Sequence, residues 1–139
     1  MFIRDNPMKI YIKATVIWCV IVLIAILNGG FRDSVLNPML GDKTALPISG
    51  LILSAMIFAI TYLFINRFKA TEAQTYIRIG LFWGLLTIIF EYGLGYFVLH
   101  QPLDEIHQVF NLQQGNLFLL ALLTAIIAPW LAAKIKRLI

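Results

Sequence analysis

The chain reads as an all-α membrane protein: a polytopic transmembrane four-helix bundle, with both termini inside and a short amphipathic outer helix between the third and fourth spans. Three observations predict this. Hydrophobic residues make up 60% of the 139 positions and charged residues 13%, about half the charged share of an average soluble protein. Four apolar runs approach or exceed the roughly 20 residues a helix needs to cross a bilayer core of about 30 Å. The basic residues also alternate between connections, as membrane topology requires.

These totals exclude several classes. A soluble domain of this size has too much surface per volume to hide so many apolar side chains, and the mean hydropathy is +0.86. A soluble enzyme, a disordered tail and a nucleic-acid-binding module are ruled out. The net charge of +4 arises from basic residues at span ends. A β-barrel would need alternating strands of about ten residues, and no such pattern exists. The single cysteine, Cys19, rules out an intramolecular disulfide, a cysteine-only metal site and a disulfide-exchanging oxidoreductase.

The first span, 10–29, is the weakest, because Lys13 lies near its start. Its basic approach (Arg4, Lys9, Lys13) resembles a signal peptide. No small-x-small site follows, since the sequence there is Ile26-Leu27-Asn28-Gly29-Gly30, so an uncleaved span is expected. The first connection carries the turn signals Asn28-Gly29-Gly30, Asn37-Pro38 and Gly41-Asp42. Between them, Val35, Leu36, Met39 and Leu40 suggest an apolar turn on the outer surface. The second span is 45–65, followed by a short, ordinary loop, 66–76. The third span, 78–99, is interrupted by Glu91. Pro102 then starts the expected outer helix, 102–111, with Leu103, Ile106 and Phe110 at helical spacing. Asn111, Gln113, Gln114 and Asn116 are expected to form a polar loop and the cap of the last helix. The fourth span, 117–135, contains Pro129, which removes a backbone donor and bends the helix.

Arg4, Lys9, Lys13, Arg67, Lys69, Arg78, Lys134, Lys136 and Arg137 fall on one side of this topology; Arg32 and Lys43 fall on the other. The positive-inside rule then places both termini in the cytoplasm of a bacterial inner membrane. Tyr11, Tyr62, Tyr96 and Trp130 near span ends suit interfacial aromatic belts. Small residues mark packing faces in lipid. Gly80, Gly84, Thr87, Glu91 and Gly95 form one stripe on the third span. Gly50, Ser54 and Thr61 form another on the second, and Ala121, Ala125, Ala128 and Ala132 a third on the fourth. Trp18, Ala25 and Asn28 mark the first span.

Glu91 is the most informative residue. A carboxylate at that depth costs on the order of 2.5–3.5 kcal/mol even on a lenient insertion scale. If the first helix continues through Gly29-Gly30, then Ala25, Asn28 and Arg32 share a face and the guanidinium reaches toward Glu91. Arginine suits this role because its fork gives a carboxylate two hydrogen bonds. Thr61, Tyr92 and Tyr96 are further hydrogen-bonding candidates. This intramembrane polar site is either a structural clamp between the first and third spans or a site for a ligand, ion or proton.

Weaker signals are His107 and Asp104, three residues apart, with His100 and Glu105 nearby. They could share a metal, but a solvated helix face is the better reading because no third ligand has a fixed spacing, and no metal is expected. Cys19, Ser49 and Ser54 have no base beside them in sequence and are read as packing or back-bonding residues. P-loop, Gly-x-Gly-x-x-Gly, His-Glu-x-x-His and Cys-x-x-Cys motifs are absent, so no cofactor is expected. The expected partners are the lipid bilayer and a second copy of the chain or another membrane protein.

The small multidrug-resistance exporters are similar in size and span number and also use a membrane glutamate. Theirs lies in the first span and this one in the third, so their function is not carried over. Fluoride channels of this size have a different Gly/Arg/Asn pattern. Three functions compete: a non-enzymatic structural, accessory or binding subunit; a small oligomeric transporter or channel using Glu91; and a lipid-modifying enzyme. The last has no evident nucleophile–base pair.

Overall fold

The computed structural model describes residues 7–111 and 117–139. Arg4, Gln113, Gln114 and Asn116 lie outside these residues. The described elements are all helical. In order they are α1 (Pro7–Phe31), a π-helical turn (Arg32–Leu36), α2 (Asn37–Leu40), α3 (Asp42–Phe64) and a 3-10 turn (Ile65–Phe68). Then come α4 (Ala73–Gly93), a second π-helical turn (Leu94–Val98), α5 (Leu103–His107), a 3-10 turn (Gln108–Phe110) and α6 (Phe118–Ile135). Four stretches are long and apolar enough to cross a membrane: Met8–Leu40, Lys43–Phe68, Ala73–Val98 and Phe118–Ile135. The chain is a multi-pass membrane protein. Helices are the natural outcome, because lipid leaves backbone polar groups no partner but their own segment.

α6 packs along both α3 and α4, and α1 leans on the same two helices from the other side. Glycine sets the closeness of the α4–α6 pair. A Cβ at Gly80 would overlap the carbonyl oxygen of Ile126, and one at Gly84 would lie 2.8 Å from Ile126 Cγ1. On the facing helix, Ala121, Ala125, Ala128 and Ala132 are buried. A Cβ at Gly50 of α3 would collide with Leu117 Cβ at 2.5 Å, and one at Gly95 would press on Ile106 at 2.9 Å. Ser54 turns its hydroxyl back onto the Gly50 carbonyl (2.9 Å). Such small-residue contacts let helices associate where no hydrophobic drive between them exists.

Lys9, Lys13, Arg67, Lys69, Arg78, Lys134, Lys136 and Arg137 lie at or near one end of the bundle, termed the basic end. That end is filled. Ile65, Phe68, Ile79 and Trp83 are fully buried. The Trp83 indole donates to the Ala14 carbonyl (2.9 Å) and the Tyr76 hydroxyl to the Ala70 carbonyl (2.6 Å). Lys13 Nζ ties α1 to the carbonyl of Arg67 (3.0 Å).

The opposite end, where the long connections lie, differs from the sequence expectation in three places. Asn28-Gly29-Gly30 is no turn, because helix runs through it to Phe31 and then widens into the π turn. Two glycines cost a helix roughly 1 kcal/mol each, less than leaving backbone groups unsatisfied in lipid. The break comes at Gly41, whose φ of 83° suits only a residue without a Cβ. The expected helix 102–111 is shorter: α5 ends at His107 and a 3-10 turn carries the chain to Phe110. Its apolar face also divides, with Ile106 buried under Gly95 and Leu103 exposed.

Candidate functional site

A cavity of about 270 Å³ opens between the four long helices at the connection end. α1 contributes Ala25, Asn28 and Gly29, and the π turn after it contributes Arg32. α3 contributes Leu46, Ser49, Gly50 and Leu53, α4 contributes Glu91, and α6 with its approach contributes Leu117, Phe118 and Ala121. Most of the lining is apolar. The polar exceptions are Arg32, Asn28, Ser49 and Glu91. The charge within the third span therefore faces a cleft rather than lipid.

Arg32 and Glu91 line this cleft without touching. Among the described residues no ion pair or hydrogen bond joins Glu91 to any side chain. Arg32 pairs with its exposed neighbour Asp33, at 3.5 Å. The reason is helical register. α1 and α4 run parallel, and two indole hydrogen bonds fix their offset. Trp83 Nε1 donates to the Ala14 carbonyl and Trp18 Nε1 to Thr87 Oγ1 (3.1 Å), each across 69 residues. The same offset puts Glu91 level with Val22. Side chains lean toward the helix N-terminus, and Arg32 does so: its Nη2 lies 3.9 Å from where a Gly29 Cβ would sit. That lean carries the guanidinium back only as far as the level of Gly29. From the level of Gly29 to that of Val22, roughly 10 Å remains at 1.5 Å per residue. The cleft therefore has a cation near its mouth and a carboxylate deeper in.

The wall between α1 and α3 is polar. Ser49 Oγ donates to Asn28 Oδ1 at 2.5 Å, and both residues are buried. The Asn28 amide nitrogen has no partner among the described residues, and Asn28 lines the cleft. Sequence reasoning assigned Ser49 to packing or back-bonding. Its place one turn from Leu46 and Leu53 on the cleft face was the available signal.

Three other candidates lie elsewhere. Thr61 is at the basic end of α3, and its hydroxyl goes back to the Ile57 carbonyl (2.7 Å). It is near Glu91 neither in depth nor in bonding. Tyr92 sits one residue off the small-residue stripe and turns outward to His107, its hydroxyl 2.7 Å from Nδ1. The two rings meet edge to face at 5.4 Å. Tyr96 is half exposed and packs on Phe97. Tyr92 and Tyr96 line a separate apolar surface groove with Ile89, Gly93, Phe97 and Leu103.

Among the described residues, no three His, Cys, Asp or Glu side chains converge on a point where a metal could sit. His107 is held by Tyr92. Asp104 is exposed in the first turn of α5, and His100 is exposed with a φ of 53°. Cys19 is exposed on the outer face of α1.

The cleft offers a guanidinium, a free amide donor and a carboxylate at graded depth. Among the described residues, its one hydroxyl, that of Ser49, is hydrogen-bonded to the Asn28 amide and not to a base. No protein-family model, curated protein or solved structure matches the chain.

Proposed function

We propose that the chain is a non-enzymatic binding subunit of a bacterial inner membrane, with both termini cytoplasmic. In this reading, its cleft takes a small ligand with an anionic group for Arg32 and a cationic group for Glu91. The carrying observation is that two opposite charges line one 270 Å³ cavity and do not neutralise each other. Glu91 has no side-chain partner among the described residues and Arg32 is held only by the exposed Asp33 at 3.5 Å, so each is incompletely compensated in the cleft, and a bridging ligand satisfies both. A clamp would need direct contact, which the indole-set register withholds. A pore through a single copy is disfavoured by the packed basic end around Trp83 and Phe68. The orientation rests on the nine basic residues set against Arg32 and Lys43. A reporter fused after Ile139 is expected to be active in its cytoplasmic form and silent in its exported form.

Thermal unfolding of the purified chain in mild detergent tests the cleft. O-phosphoethanolamine, which carries both charges, is expected to raise the midpoint more than phosphate or ethanolamine alone. Glu91→Gln should abolish that rise while leaving the apo midpoint nearly unchanged. If no compound raises it, and Glu91→Gln and Arg32→Ala each destabilise the apo protein strongly and non-additively, the clamp replaces the binding site.

A further inference from the structure

The seam between α1 and α3 carries a second cavity, about 280 Å³, lined by Ile24, Leu27, Asn28, Phe31, Ile52 and Met56. All but Asn28 are apolar. Leu27, Phe31 and Met56 are exposed on the outer surface of the bundle, which faces acyl chains in a membrane. Asn28 lines both this groove and the polar cleft. The Asn28–Ser49 hydrogen bond is thus a low bar between a lipid-facing groove and a charged cavity. Arg32 stands one turn beyond that bar, toward the end of the span.

We infer that the ligand of the cleft is the headgroup of an amine-bearing zwitterionic phospholipid, of the phosphatidylethanolamine type. One acyl chain lies in the α1–α3 groove, and the headgroup crosses above the Asn28–Ser49 bond into the cleft. The inference rests on the binding reading proposed above and names its ligand. The order of charges supports it. In such a lipid the phosphate lies next to the glycerol and the ammonium at the tip. In the cleft, Arg32 and the Asn28 amide lie next to the groove, and Glu91 lies deeper. Arg32 and Glu91 both line the one cavity of about 270 Å³ that the headgroup enters. A glycerol-tipped anionic lipid leaves Glu91 without a counter-charge. A trimethylammonium tip cannot donate hydrogen bonds to the half-buried carboxylate.

Lipid retention by the full-length chain, stripped in detergent and read by native mass spectrometry, tests this. Phosphatidylethanolamine, phosphatidylcholine and phosphatidylglycerol with identical chains are offered at equal concentration. Soluble glycerophosphoethanolamine is assayed in parallel by thermal shift. Phosphatidylethanolamine should be retained about tenfold over the other two. Met56→Trp and Leu27→Trp fill the groove from its lipid-facing side, where extra volume displaces no core residue. They should weaken phosphatidylethanolamine retention by about tenfold and leave the soluble headgroup's thermal shift intact. Glu91→Gln should erase the preference for the ethanolamine lipid and the soluble shift together.

Equal retention of all three lipids, or no effect of either groove variant on the ethanolamine lipid, overturns the lipid inference. If Glu91-dependent binding of glycerophosphoethanolamine survives in that case, the binding reading stands without it. If neither the lipid nor the soluble headgroup binds in a Glu91-dependent way, both readings fall.

Discussion

The two ends of the bundle are built on different terms. At the basic end, Trp83, Phe68 and Ile65 are buried completely, and the indole, phenol and ammonium groups of Trp83, Tyr76 and Lys13 each close on a backbone carbonyl. At the other end, the two parallel helices α1 and α4 both relax into π-helical turns. There a cavity separates the helices, and Arg32 and Glu91 are half-buried without direct contact. π-helical turns tend to occur at functional sites. The difference teaches that the fully buried side chains that hold this fold together are concentrated away from the cleft. The connection end keeps an open cavity lined by Arg32 and Glu91.

Four substitutions break or sharpen that contrast, measured by unfolding in detergent. Trp83→Ala is expected to cost most, about 3–5 kcal/mol, because it empties a fully buried volume and orphans the Ala14 contact. Gly80→Ala follows, at about 1–3 kcal/mol, since its new Cβ meets the Ile126 backbone, which cannot swing aside. Asn28→Ala should cost about 1 kcal/mol, the ordinary worth of one hydrogen bond between membrane helices. Glu91→Gln should change apo stability by no more than about 0.5 kcal/mol, while removing any stabilisation by O-phosphoethanolamine. If Glu91→Gln proved as damaging as Trp83→Ala, the division of labour between the two ends would be wrong.

The spans were legible in the sequence because apolar runs of that length have few alternatives in lipid. The stripe Gly80, Gly84, Gly95 also falls where helices or turns approach closely, for helical spacing fixes a face without knowledge of the partner. Depth was harder to see. Thr61 and Glu91 look like neighbours on two small-residue stripes, yet α3 and α4 run antiparallel, so counting from the connecting turn separates them in depth by roughly 15 Å, about half the bundle. Tyr92 failed for a simpler reason, since one residue along a helix is a rotation of about 100°. The separation of Arg32 from Glu91 was not legible at all. It depends on the relative slide of two parallel helices, which Trp18 and Trp83 set through contacts no local pattern encodes. Asn28-Gly29-Gly30 misled because turn preferences come from chains in water, where a broken helix finds other hydrogen-bond partners.

That uninterrupted passage through Gly29 and Gly30 makes Met8–Leu40 a helical stretch of 33 residues, against 18 in Phe118–Ile135. At 1.5 Å per residue these are roughly 50 Å and 27 Å. A bilayer core of about 30 Å matches the shorter helix and is overrun by the longer one. Lys9 and Lys13 at one end and Arg32 and Asp33 at the other bound the uncharged run 14–31, so the overhang stands in the interfaces rather than in the core. Because part of the overhang lies beyond Asn28, membrane thickness sets the height of Arg32 relative to the phosphate layer. A thinner bilayer leaves the guanidinium in water, and a thicker one draws it down among the headgroups.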